Sequence, residues 1–272
     1  MIRCYHTLTF AALAALVSFN LRAEVVEIGS AADFAEKIAA NPEGDYKLTA
    51  DIDCSAWTSL DFSGTLDGDG KTISGLTTAL FGTVSGSAQI KNLVISGATI
   101  SHTSGNSYTS GFVASTVNGS DVLVSDIAFT GCTLCEAGAA SRAGMVAGTF
   151  TCSGSGRIEN VSLDSTCSLV ASAGCGGLGG VCGSVKANGV GAVVTLSNCV
   201  NRAIVTISSY TTYLAGLVAS ASCNSTGVTT ADLAHLVLED CANYSSLTVN
   251  KTNPSFSPLV NNFSNTEWKE LR

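Results

Sequence analysis

Gly111-Phe112-Val113-Ala114, followed ten residues on by Val124-Ser125-Asp126-Ile127 and then Ala128-Phe129-Thr130, decides the fold. The first four residues follow a small–apolar–apolar–small pattern. It recurs as Ala79-Leu80-Phe81-Gly82, Gly144-Met145-Val146-Ala147, Gly177-Leu178-Gly179-Gly180, Gly216-Leu217-Val218-Ala219 and Pro258-Leu259-Val260-Asn261, with starts 32, 33, 33, 39 and 42 residues apart. The second four carry Asn or Asp in third place. They recur as Ile90-Lys91-Asn92-Leu93, Ile158-Glu159-Asn160-Val161, Leu196-Ser197-Asn198-Cys199 and Leu238-Glu239-Asp240-Cys241. Two signals keeping one long period mean stacked units, none of which buries its apolar face alone. Alternation with β-branched residues follows each second motif, as in Val94-Ile95-Ser96, and reads as strand rather than helix.

Composition agrees. Only 12% of the 272 residues are charged and three are prolines, too apolar for disorder and too uncharged for an ordinary α/β enzyme. Small residues at tight corners, with Val, Ile and Leu stacked inside, explain both numbers. The expected fold is all-β, a right-handed parallel β-helix (β-solenoid) over residues 59–263 with a small N-terminal α/β cap at 24–58. In that cap Val25–Ile28 reads as strand, Ser30 caps a helix over Ala31–Ala40 with Phe34 and Ile38 on one face, and Tyr46–Asp53 alternates as strand. Such a cap covers the first unpaired edge of the stack. A charged C-terminal tail, 264–272, either covers the last coil or leads into a longer chain.

Residues 1–23 read as a signal peptide: Arg3, an apolar run from Leu8 to Phe19, and Leu21-Arg22-Ala23 before the cut. The run is too short to span a bilayer core of about 30 Å. Extracellular or cell-surface localisation is therefore expected, with no membrane span after cleavage. Removing Arg3 and Arg22 lowers the basic count from 13 to 11 against 21 acids, a net charge of −10, which disfavours nucleic acid as a partner. Ten cysteines remain. Cys199 and Cys241 occupy one slot of adjacent repeats, where parallel stacking sets them about 4.8 Å apart. They form either a disulfide or a ladder of buried thiols. Cys132-Thr133-Leu134-Cys135 ends a strand, and a structural role is expected of it.

Leu48-Thr49-Ala50-Asp51-Ile52-Asp53, the run from Phe62 through Asp67-Gly68-Asp69-Gly70 to Leu76, Leu80-Phe81-Gly82 and Ile90-Lys91-Asn92-Leu93 together resemble the GLUG-motif repeat family, over roughly residues 44–263. These are exported β-helical surface and adhesin-like proteins, including parts of large adhesins and of IgA-protease-like surface proteins. The resemblance implies fold and export, not a particular activity. The chain departs from the family in its Val-Ala motif endings and its higher cysteine content.

Chemistry-bearing residues are scattered. The column Asn92, Asp126, Asn160, Asn198, Asp240 is expected to hydrogen-bond along a turn as a structural device. His102 and His235 lie far apart, and the acids, Glu136 among them, form no recurrent cluster with Arg or Lys. No catalytic residue, cofactor or metal site is expected. Tyr108, Tyr210 and Tyr213, in loops just before two of the motifs, are the ligand-binding candidates, because aromatic rings anchor sugars or protein partners. These features lead to the expectation of a secreted, adhesin-like, non-catalytic protein that binds glycan or a surface protein through loops on one edge. The alternatives are a polysaccharide lyase or glycoside hydrolase on the same fold, or a structural spacer.

Overall fold

The computed structural model describes residues 24–102, 108–138, 141–208, 211–224, 234–249 and 256–264. The stretch 1–23 expected as a signal peptide, Tyr210, and 265–272 of the expected tail lie outside the described residues. Within them the chain is all-β apart from one helix, Ala31–Ala40, and its strands pair in parallel in four sheets.

Each sheet collects equivalent strands of successive repeats, and the first also takes in Ile52–Asp53, Thr72–Ser74, Val200–Asn201 and Ala242–Asn243. The first runs from Val26–Ile28 through Asp45–Leu48, Thr65–Asp67, Gln89–Ser96, Leu123–Thr130, Ser155–Leu163 and Val193–Ser197 to His235–Glu239. The second runs from Leu60–Phe62 to Val260–Ser264, the third from Thr99–Ser101 to Ser246–Val249, and the fourth from Thr109–Ser110 to Phe256–Ser257. Residues one repeat apart therefore sit side by side. Ile90, Val124, Ile158, Leu196 and Leu238 form one buried column in the first sheet. Val84, Val117, Phe150, Val185 and Ala221 form another in the second. Burying each large side chain of this kind contributes about 1.5–3 kcal/mol.

The two sequence signals differ in how well they mark this register. The Asn/Asp motif marks it at every copy. Asn92, Asp126, Asn160, Asn198 and Asp240 all have left-handed backbone, with φ between 51° and 58°. Asn and Asp tolerate that conformation best among residues with a side chain. The turn thus demands these residue types from the backbone, before any side-chain bond forms. The bonds follow: Asn160 Nδ2 donates to Asp126 Oδ1 at 2.9 Å, Asn198 Nδ2 to Asn160 Oδ1 at 2.8 Å, and Asn92 Nδ2 to Asp67 Oδ1 at 2.9 Å. The small–apolar–apolar–small motif drifts instead. The residues in register are Phe81, Ala114, Ala147, Cys182, Val218 and Val260. The fourth copy therefore begins at Gly179 rather than Gly177, and the first, fifth and sixth begin one residue earlier than the pattern suggests.

The N-terminal elements join the same core. The Ser30 hydroxyl accepts from Asp33 N at 3.2 Å and caps the helix. Phe34 and Ile38 are buried beneath it. Phe34 lies 5.0 Å from the Trp57 ring and edge-on to Phe81 at 6.3 Å, while Trp57 Nε1 donates to Leu80 O at 2.8 Å.

Candidate functional site

The period that stacks the core also brings together two groups that look isolated in the sequence. His102 and Glu136 are 34 residues apart, one repeat, and His102 Nδ1 lies 2.7 Å from Glu136 Oε1. The backbone fixes this: Ser101 pairs with Cys135, and His102 N donates to Cys135 O at 2.8 Å. Glu136 points inward from the strand Thr133–Ala137 and is fully buried. The register shifts between Glu136 and Ala137, where Ser172 is the extra residue on the next strand, and the Ser172 hydroxyl donates to Glu136 O at 3.0 Å. A bulge of this kind re-aims the side chains beside it.

Around this pair sit Tyr108 and Ser110. The Tyr108 ring stacks on the His102 ring at 3.7 Å, nearly parallel at 7°. The Ser110 hydroxyl is 3.4 Å from His102 Nδ1. His102, Tyr108 and Ser110 line a cavity of about 260 Å³ together with the hydroxyl-bearing Ser59, Thr77 and Thr78. Burial pushes the Glu136 carboxyl above the ordinary carboxylate range, against the opposing pull of Ser110 and His102. Its second oxygen, Oε2, is buried with no hydrogen-bond partner among the described residues.

Ser110, His102 and Glu136 are the residue types of an acyl-transfer triad, but their geometry differs from one. A triad needs the hydroxyl on one imidazole nitrogen and the carboxylate on the other. Here both face Nδ1, so His102 is not placed to take the Ser110 proton while Glu136 orients it. The cluster can bind and share protons, and it does not form an activated nucleophile.

Of the three tyrosines expected to bind ligand, Tyr108 enters this cluster. Tyr213 lies further along the same sheet, its ring 6.0 Å from the Arg142 guanidinium carbon. Thr109, Arg142, Gly177 and Tyr213 are consecutive register neighbours, so Arg142 and Tyr213 share one row near the strand-start edge of the fourth sheet, and Tyr108 lies one residue before that row. Tyr210 falls outside the described residues. His102, Ser110, Glu136 and Arg142 were not singled out by type or spacing. The 34-residue separation of His102 and Glu136, equal to one repeat, is the signal that finds them.

The fold and this edge define an all-β protein of parallel repeats with an N-terminal helix. The family described as the M26 IgA1-specific metallo-endopeptidase N-terminal region matches residues 22–131. Among solved structures, that of a candidate immunoglobulin A1 protease from Bacteroides ovatus is similar, 18% identical over 88% of this chain and 82% of that one, with a TM-score of 0.48. No curated protein matches.

The family match corrects two expectations. The family found is the M26 N-terminal region, not the GLUG-repeat family. The motif misleads for a physical reason: its small residues are imposed by close backbone approach. A Cβ on Gly111 would meet the Ala147 Cα at 2.5 Å, one on Gly144 the Cys182 Cα at 2.5 Å, and one on Gly216 the Pro258 carbonyl at 2.0 Å. Tight parallel stacking asks for glycine at such places whatever the ancestry. The non-catalytic adhesin reading, which rested on export and architecture alone, is overturned by the same match, because the family is a peptidase one. The match supports neither the polysaccharide-enzyme nor the spacer alternative.

Among the described residues the donor set does not fit a catalytic zinc ion. Such an ion takes three protein ligands, and among the described residues no three His, Cys, Asp or Glu side chains converge. The sequence has three histidines, at 6, 102 and 235, and no His-Glu-x-x-His pair.

Proposed function

We propose that this chain is an exported region of the IgA1-peptidase type, which engages an immunoglobulin substrate for proteolysis; among the described residues no metal-binding cluster is present to cleave a peptide bond. The observation that carries this reading is the family match over residues 22–131. It begins at the expected end of the leader and takes in the helix and the first repeats. In this reading residues 1–23 are the signal peptide, 24–58 the cap, 59–263 a parallel β-helix and 264–272 a tail. The β-helix is right-handed, as crossovers between parallel strands nearly always are. Among the described residues no helix is long and apolar enough to cross a membrane. The contact surface is the edge bearing Tyr108, Arg142 and Tyr213, since aromatic and arginine side chains dominate protein interfaces.

Surface plasmon resonance of the purified chain over immobilised IgA1 and IgG, with electrophoresis of IgA1 after prolonged incubation, tests this. Selective retention by IgA1 with intact heavy chains is the expected result. Equal or absent retention removes the substrate-engaging role. Heavy-chain cleavage replaces it with a complete peptidase.

A further inference from the structure

Four of the ten cysteines after the leader meet in pairs. Ser168 N donates to Cys132 O at 2.8 Å and Thr133 pairs with Ser168, so Cys132 and Cys167 are in-register neighbours on adjacent repeats. Ala242 N donates to Cys199 O at 2.9 Å and Val200 pairs with Ala242, which places Cys199 and Cys241 the same way. Neighbouring parallel strands set such Cα atoms about 4.8 Å apart, inside the window of about 4.4–6.8 Å that a disulfide needs.

Among the described residues the other cysteines lack such a neighbour. Cys152 pairs with Gly119 and Ala187, Cys182 with Ala147 and Val218, Cys135 with Ser101 and Val170, and Cys175 with Thr211. Cys152 and Cys223 share a column but are separated by Ala187. Cys132 and Cys135 are three residues apart on an extended chain, so their side chains leave opposite faces and the Cys-x-x-Cys does not close on itself. All ten are thiols in this structure.

We propose that Cys132–Cys167 and Cys199–Cys241 are two cross-repeat disulfide sites, closed by exchange with an external disulfide oxidant once the chain reaches an oxidising compartment. The remaining six cysteines stay thiols as packing residues. The timing rests on the export reading; the pairing does not. In the second pair, Cys241 is half-buried while Cys199 is fully buried, so Cys241 meets the oxidant. A hydrogen bond from the Cys199 thiol outweighs burial and draws Cys241 down to about 7, and the same bond with burial pushes Cys199 up. The Cys241 thiolate attacks one sulfur of the oxidant and expels the other as a thiolate. Cys199 then gives up its proton, attacks the Cys241 sulfur, and releases the second thiolate. Two thiols lose two protons and two electrons, and the oxidant disulfide becomes two thiols. In the first pair both sulfurs are fully buried, so closure there awaits local opening and is slower.

The test is oxidation of the purified, reduced chain with oxidised glutathione, timed alkylation of remaining thiols, and mass spectrometry of the protein and its peptides. The expected end state has lost four hydrogens and yields linked peptides Cys132/Cys167 and Cys199/Cys241, the latter first, with Cys54, Cys135, Cys152, Cys175, Cys182 and Cys223 alkylated. Cys241→Ser should abolish only the second link and Cys167→Ser only the first. Ten alkylated cysteines after prolonged oxidation, or links scrambled among other pairs, overturn the proposal. A leader-deleted chain kept in a reducing cytosol should arrive fully reduced. If it closes correctly in vitro while the intact chain is never oxidised in the producing cell, the export reading fails and the pairing stands.

Discussion

The middle repeats and the later ones solve one packing problem in different ways. In the first sheet Ile95, Phe129, Leu163, Asn201 and Asn243 share a column. Across the core, Phe112, Met145, Gly180 and Gly216 occupy equivalent positions, because Ala114, Ala147, Cys182 and Val218 are in register two residues further on. The middle repeats fill the gap with apolar volume, the Phe112 and Phe129 rings lying 6.3 Å apart. The later repeats fill it with glycine against a buried amide. Asn201 is fully buried, its Nδ2 donating to Gly216 O at 2.7 Å and its Oδ1 accepting from Ala203 N at 2.8 Å. At this one position, then, the middle repeats hold by hydrophobic transfer and the later ones by satisfied hydrogen bonds, within a core that is apolar in both. Burial alone tells little about which substitutions each half tolerates.

Chemical unfolding of single variants can break that comparison. Phe129→Ala should have the largest effect, a loss of about 3–5 kcal/mol, because it removes buried apolar volume and leaves a cavity. A loss under 1 kcal/mol would mean the middle repeats are not held by packing. Asn201→Ala should cost about 1–3 kcal/mol, the penalty for leaving Gly216 O and Ala203 N buried without partners. Gly216→Ala should cost a similar amount, about 1–3 kcal/mol, since its Cβ would meet the Pro258 carbonyl at 2.0 Å. At the Asn turn, Asn160→Ala should cost about 1–2 kcal/mol more in backbone strain than Asn160→Gly, because only glycine accepts positive φ freely. Equal losses would show the side-chain ladder, not the backbone, to be decisive there.

The smallest effects concern pH, and two carboxyls should pull in opposite directions. Burial raises Asp164, but hydrogen bonds from Thr130 and Thr166 outweigh it and hold the carboxyl below its ordinary range. Its stabilisation is complete above the unfolded value of about 3.9 and is lost as pH falls through the lower folded value. Thr130→Val should shrink that loss. Glu136 is raised in the folded state by burial. The folded chain is therefore penalised as pH climbs from about 4.3 toward the raised value, and Glu136→Gln should flatten that limb of the stability curve.

The legible parts of the sequence are those where local chemistry and backbone agree. Ser30, Phe34 and Ile38 give the helix and its buried face, and the structure has it over Ala31–Ala40. The Asn/Asp motif gives register because a left-handed turn tolerates few residues. The small–apolar–apolar–small motif is degenerate, since several offsets place a small residue beside an apolar one, and it slips by up to two residues. The His102–Glu136 pair is hidden because each residue looks solitary along the chain; it emerges only when positions are compared one repeat apart. The Gly180/Asn201 exchange is hidden because a polar residue in an alternating strand reads as outward-facing.

Hydrogen–deuterium exchange of the chain with and without IgA1 tests the functional account most directly. The account predicts new protection along the edge of the fourth sheet, in the peptides carrying Tyr108, Arg142 and Tyr213, with the Ile90–Leu238 column unchanged. Protection confined to the N-terminal helix, or none under conditions where the two proteins associate, would contradict it.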